Sequence, residues 1–302
     1  MEFLYLLEKV RMPVLNELML AVTTLGEETA FLVIGLIIFW CVDKRKGYYV
    51  MAVGFAGTML NQIMKLSFRI PRPWVLDPQF PILEQAREAA AGYSFPSGHT
   101  QTAVGTFGCL AVSTEKKWWR ITCVILAVMV GFSRMYVGVH TPADVLAGAA
   151  VACLLIWLLR KPVLYGENRA LKTTFAALIL LALAFWAYVH FWDFPADMDV
   201  HNMESGLKNA YTMLGCTIGI ALVYVADKRR NFSVEAVWWI QILKVAGGLL
   251  LVLAVKEGLR APLELLLPIY PARAVRYFLV VIMAGNIWPM SFQHISKFGS
   301  KK

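Results

Sequence analysis

Residues 118–160 read WWRITCVILAVMVGFSRMYVGVHTPADVLAGAAVACLLIWLLR. Two apolar runs, 119–136 and 142–159, flank a short junction, and neither alternates with a period of two. Runs of roughly 15–20 apolar residues approach the length a helix needs to cross the hydrocarbon core of a bilayer. Only helices and closed barrels satisfy their backbone groups there, and the missing alternation excludes a barrel. Working outward, the pattern recurs at 27–42, 48–65, 97–114, 173–191, 209–226, 237–256 and 274–290. An all-α polytopic membrane helix bundle of nine transmembrane helices is predicted. Composition agrees: the 302 residues are 59% hydrophobic and 16% charged, with a mean hydropathy of +0.60, too apolar for a soluble domain of this size.

Cytoplasmic loops of membrane proteins are enriched in Lys and Arg. Every second connection here is basic: Lys44-Arg45-Lys46, Lys116-Lys117 with Arg120, Arg160-Lys161 with Arg169 and Lys172, and Lys228-Arg229-Arg230. The tail adds Lys297, Lys301 and Lys302. This predicts an external N-terminus and an internal C-terminus. The 190–208 connection, with Asp193, Asp197, Asp199 and Glu204 against Lys208, then reads as an external loop. Most of the net charge of +9 is this bias, so the basic balance does not call for a nucleic-acid partner. Glu8, Lys9, Arg11 and Glu17 interrupt residues 1–26, which read as an interfacial amphipathic helix rather than a signal peptide. The five cysteines, at 41, 109, 123, 153 and 216, lie in or beside apolar spans as packing residues, without metal-like spacing. One membrane domain is expected: a catalytic core over 27–192 and a three-helix extension over 209–290.

Three stretches on the predicted external side are unlike loop filler. In KLSFRIPRP, residues 65–73, Lys65 and Arg72 flank Arg69, and Pro71 and Pro73 stiffen the backbone around Arg72. Long cations at a boundary often just snorkel, but a dense external cluster runs against the charge bias, and a rigid guanidinium matches phosphate oxygens. In YSFPSGHT, residues 93–100, Ser97 and Gly98 fall at the start of the third span. Unpaired backbone N–H groups there attract an anion, and His99 is placed to donate a proton. In SRMYVGVHTPAD, residues 133–144, Asp144 lies four residues after His140. With Pro142 in the first turn of the fifth helix, its carboxylate can orient one ring nitrogen of His140 and leave the other free to attack. Arg134 is placed to hold phosphate oxygens. Each stretch alone has a structural explanation; together they gather cations, a helix-end anion site and two histidines at one boundary.

Lys65-x6-Arg72-Pro73, Pro96-Ser97-Gly98-His99 and Ser133-Arg134-x5-His140-x3-Asp144 resemble the three-part signature of the type 2 phosphatidic acid phosphatase (PAP2) superfamily. That superfamily embraces lipid phosphate phosphatases, prenyl pyrophosphate phosphatases, glucose-6-phosphatase and vanadium haloperoxidases. The resemblance covers residues 65–144 with its order and spacings intact. It implies that His140 is the nucleophile of a phosphohistidine intermediate, that His99 protonates the leaving group and that Asp144 orients His140. It further implies that Lys65, Arg72, Arg134, the Ser97 hydroxyl and the Gly98 backbone cradle the phosphate, with neither metal nor cofactor. A neutral His140 beside a protonated His99 predicts a bell-shaped pH profile. Nine spans resemble the glucose-6-phosphatase and sphingosine phosphate phosphatase branches.

The expectation is a multi-pass cell-membrane phosphatase whose site faces the extracytoplasmic side. A lipid phosphate substrate follows from the boundary position of the motifs, with surrounding membrane lipids as the other partner and Trp74, Tyr93 and Phe95 as interfacial anchors. A phosphotransferase, a phosphatase of soluble sugar phosphates and a phospholipid transporter or flippase are the alternatives. Lys244 is the nearest thing to a mid-span charge of the kind a transporter uses. The pair Lys256-Glu257, in the extension, is a candidate headgroup contact.

Overall fold

The computed structural model describes residues 1–90, 92–196, 198–230 and 232–297; Asp197, Lys301 and Lys302 lie outside the described residues. Helices dominate, and no strand occurs among the described residues. The chain forms two compact units: residues 1–32, 56–160 and 193–206 make the first, and 33–55, 161–192 and 207–302 the second.

The first unit opens with α1 (Glu2–Glu8) and α2 (Pro13–Thr24). Residues 1–26 are therefore two helices rather than one, because Pro13 has no N–H to carry a helix through and instead starts α2 at its first position. α2 bends by 54° into α3 (Glu28–Cys41) at the Leu25–Glu27 break. The second half of α4 (Lys44–Phe68) follows and ends at Arg69, which takes the left-handed conformation, φ 51°, usual for a residue just past a helix end. The short α5 (Pro73–Leu76) leads through a long loop to α6 (Gly98–Val112), α7 (Lys117–Tyr136) and α8 (Pro142–Arg160). The N-terminal segment is pinned over this loop. Arg11 Nε donates to the Tyr136 carbonyl at 3.0 Å and its Nη1 to that of Pro81 at 2.7 Å, while Tyr5 donates to Asp77 at 2.8 Å. Beneath them Met19, Ala86, Ala90, Tyr136, Val137 and Val139 form one buried cluster, with Trp74 packed against it. Burying a large apolar side chain contributes about 1.5–3 kcal/mol, so this cluster fixes the 136–140 turn.

The second unit is built on α9 (Asn168–Phe191), most of α10 (Val200–Arg230), α11 (Trp238–Gly258), α12 (Arg260–Leu266) and α13 (Ile269–Ile282). Lys244 is fully buried, with its ammonium 3.2 Å from the Val234 carbonyl and 4.7 Å from the centre of the Phe292 ring, so its charge is met inside the protein by a carbonyl and an aromatic face. Lys256 and Glu257 pair at 3.1 Å on an exposed surface.

Each of the nine expected segments is helical, yet among the described residues six helices are long and apolar enough to cross a membrane, or seven with the bent α2–α3 pair counted as one span. α6 has 15 residues, and α4 carries Asn61, Gln62 and Lys65 among its apolar positions. The expected 190–208 loop is also shorter than anticipated. α10 begins at Val200 because Asp199 caps it, its Oδ1 accepting from the Asn202 N–H at 3.0 Å.

Candidate active site

Within the first unit, the C-terminal ends of α4 and α7 and the N-terminal ends of α6 and α8 carry the three motifs. The 137–141 turn presents His140, which is 1% exposed. Gly138 makes the turn by taking φ 88°, where a Cβ would meet Phe80 at 2.9 Å.

His140 lies between a cation and a carboxylate. Arg72 Nη1 donates to its Nε2 at 2.8 Å. A guanidinium can only donate, so Nε2 holds the ring's lone pair and Nδ1 its proton. Nδ1 faces Asp144 Oδ2 at 3.4 Å and Ser94 Oγ at 3.5 Å. The carboxylate is held more tightly by other donors, the Ser94 hydroxyl at 2.6 Å and the Thr141 N–H at 2.8 Å. Arg72 is fixed in turn by the carbonyls of Gly92 and Val139, at 2.9 and 3.0 Å. Asn202, at the start of α10, steadies this loop by accepting from the Tyr93 N–H at 2.9 Å.

Burial first, then the charges of Arg72, Arg134, Lys65 and His99, hold the His140 pKa well below the usual histidine value. Those charges belong to four of the expected site residues, so the fold brings distant stretches of chain to one histidine. Burial lowers Arg72 to about 10, partly offset by Asp144, and leaves it a cation at neutral pH.

Arg134 is completely buried. Its Nη1 donates to Thr23 Oγ1 at 2.6 Å, while Nε and Nη2 find no partner among the described residues. The buried Nε2 of His99 also lacks one. Ser97 caps α6, its Oγ 2.8 Å from Thr100 Oγ1 and 3.4 Å from the Thr100 N–H. The Ser97 N–H donates to the Asp144 carbonyl at 3.0 Å, tying α6 to α8. That approach needs Gly148, where a Cβ would stand 2.6 Å from the Ser97 carbonyl oxygen. No group of three or more metal-ligating side chains occurs among the described residues.

Ser94 and Thr23 escaped the sequence reading. Ser94 stands three residues before Ser97 in the same quoted motif and was hidden by it; Thr23 lies in a helix with no motif at all.

Two histidines and three cations gathered at the helix ends of a helical membrane protein suit a phosphoryl group, and the membrane phosphatase class follows from the likeness to known proteins. Residues 45–166 match the PAP2 superfamily, and residues 211–300 match the PAP2 superfamily phosphatase transmembrane extension. Phosphatidylglycerophosphatase B of Bacillus subtilis (strain 168) is 30% identical over 167 residues, covering 50% of this chain and 76% of that protein. Undecaprenyl-diphosphatase BcrC of the same organism is 32% identical over 130 residues, 43% of this chain and 64% of its own length. Human sphingosine-1-phosphate phosphatase 2 is 26% identical over 140 residues, 44% of this chain and 34% of its own. The crystal structure of a transmembrane PAP2 type phosphatidylglycerolphosphate phosphatase from Bacillus subtilis, 29% identical, covers 52% of this chain and 80% of that one with a TM-score of 0.44. The chain belongs to the PAP2 superfamily and is a phosphatase of that type.

Proposed function

We propose that the protein hydrolyses a phosphomonoester or diphosphate of a membrane lipid at the extracytoplasmic face, through a phosphohistidine. Arg134 carries this reading. A buried donor left unsatisfied costs about 1–3 kcal/mol, more when charged, and Nε and Nη2 of one guanidinium are both in that condition. Two phosphate oxygens would satisfy them in the forked geometry that guanidinium offers.

In the proposed reaction the substrate draws the Arg72 guanidinium onto its own oxygens and so frees Nε2 of His140. Nε2 bonds to phosphorus while the P–O bond to the leaving group breaks, and His99 delivers a proton to the departing oxygen. The Nδ1 proton stays on the ring, with Asp144 beside it to balance the developing charge. Lys65, Arg72, Arg134, the Ser97 hydroxyl and the Gly98 N–H hold the equatorial oxygens. Water then attacks the phosphohistidine and releases inorganic phosphate. The names of the relatives support a lipid substrate, as does the position of the motifs at the helix ends. Residues 27–192 form the catalytic core in this reading, and 209–290 an extension whose Lys256–Glu257 pair contacts headgroups.

His140→Ala is the test. Phosphate release from phosphatidylglycerol phosphate, sphingoid phosphates and prenyl diphosphates should fall by about 10⁴-fold or more, and vanadate should inhibit the unaltered enzyme as a mimic of trigonal bipyramidal phosphorus. Normal turnover in the variant would remove the covalent mechanism. A new phosphorylated lipid in place of inorganic phosphate would reassign the protein as a transferase.

A further inference from the structure

His99 and Lys65 line a cavity of about 450 Å³ to which His140, Arg72 and Arg134 contribute nothing. In a displacement at phosphorus the attacking and leaving atoms lie in line on opposite sides. With His140 as nucleophile and His99 as acid, the reading on which this inference rests, the leaving alcohol projects into that cavity.

The walls of the cavity carry no purely hydrocarbon side chain. On α4, Thr58, Asn61, Gln62 and Lys65 follow one another at i, i+3, i+4 and i+7 and so share one helix face, a polar stripe about 10 Å long. The α2–α3 break adds Glu27, and α3 adds its first residue, Glu28. Gly26 lets that break close on α6, since a Cβ there would stand 2.8 Å from the His99 carbonyl oxygen and 2.7 Å from Val130. The charge of Glu27 acts on Arg134 and that of Glu28 on Lys65, so both carboxylates belong to the electrostatic field of the cradle.

Carboxylates repel the phosphate that the cations attract. Toward the leaving group their chemistry is different, because they accept hydrogen bonds from a donor. A bare hydrocarbon alcohol would strip water from these carboxylates and amides and return no hydrogen bond, and a second phosphate would meet two carboxylates, because the one cation of the wall, Lys65, holds the first phosphate in the proposed reaction. We propose that Glu27 and Glu28 determine specificity: of the two substrate classes they favour phosphomonoesters whose leaving alcohol carries a hydroxyl or ammonium donor near the esterified carbon, and they disfavour diphosphates.

The test compares kcat/KM for three chain-matched substrates in one mixed micelle: a long-chain 2-hydroxyalkyl phosphate, the alkyl phosphate without the hydroxyl, and the alkyl diphosphate. The unaltered enzyme should prefer the first by about 10-fold or more, the order expected from one hydrogen bond to a charged group. Glu27→Gln and Glu28→Gln should shrink that ratio, with the diphosphate gaining most. Inhibition by the free alcohols reads the same preference without chemistry, so it serves even where turnover is slow. The hydroxylated alcohol should inhibit at a concentration about 10-fold lower than the plain one, and the gap should close in the Gln variants. If both Gln variants fail to accumulate, Glu28→Asp, which withdraws the charge by one methylene, reads the same ratios. Equal use of the three substrates by the unaltered enzyme, or ratios unmoved by these changes, would overturn the assignment. His140→Ala separates the two readings. Turnover that survives in it removes the site itself, whereas a dead His140→Ala alongside ratios insensitive to Glu27 and Glu28 removes only the selectivity.

Discussion

His140 is buried and has cations gathered on one side of its ring, and these two effects act in one direction. Each disfavours the imidazolium, so protonation, which would consume the lone pair proposed to attack phosphorus, is postponed to acidity well beyond the ordinary value of 6.5. The sign is therefore fixed: a fall in pH removes activity, but only after passing below that value. A kcat/KM profile should hold level down to about pH 6 and show its acid limb below the normal histidine range; a limb centred at 6.5 or above would contradict the environment described for the ring. Most of this was legible in the sequence. The spacing of His140 to Asp144 and the prolines around Arg72 announce an oriented imidazole and a rigid guanidinium. What spacing cannot convey is partnership across the fold. Ser94 holds Asp144 at 2.6 Å, closer than the 3.4 Å between Asp144 and His140, and a lone serine carries no signal of that.

At the scale of elements, α6 and α8 meet because a glycine removes the side chain between them. An alanine at 148 would place its Cβ 2.6 Å from the Ser97 carbonyl oxygen, a backbone atom that cannot swing aside. Gly148→Ala should destabilise the protein by about 1–3 kcal/mol and lower kcat by moving the turn that carries His99. Gly258→Ala is the control, since its Cβ would meet nothing within 4 Å. Thermal unfolding in detergent distinguishes the two, and equal midpoints would refute the packing argument. Helix positions were readable from apolar runs because burial in lipid or protein needs continuous hydrophobicity. Counting spans was harder. α4 mixes Asn61, Gln62 and Lys65 into an apolar run because they line a cavity, and the helical turns at 200–208 look like an acidic loop until Asp199 is recognised as a cap.

For the whole molecule, alternation of basic and non-basic connections predicts that the catalytic ends of α4, α6, α7 and α8 face away from the cytoplasm. Gln79 lies exposed in the loop between α5 and α6, and Lys116 is exposed at the opposite end of α6. With the five native cysteines replaced, Gln79→Cys should react with a membrane-impermeant maleimide in intact cells, and Lys116→Cys only after permeabilisation. The reverse pattern would move the site to the cytoplasmic leaflet. The two segments matched by family models, 45–166 and 211–300, divide the chain near the place where the sequence changes character. The first is dense in motif residues. The second is rich in spans and carries no comparable signature, so sequence reading assigned it a position and little else.

One hydrogen bond, from Arg72 to Nε2 of His140, bears on what the protein ignores. An imidazole with an open lone pair is a general reagent, ready for any ester or aldehyde that drifts past. Here the pair is sheathed by a guanidinium, and in the proposed mechanism only a visitor with enough negative charge to pull that cover aside reaches the nitrogen. In the proposed mechanism charge is thereby the password to reactivity, and neutral electrophiles should pass by a nitrogen that is already spoken for.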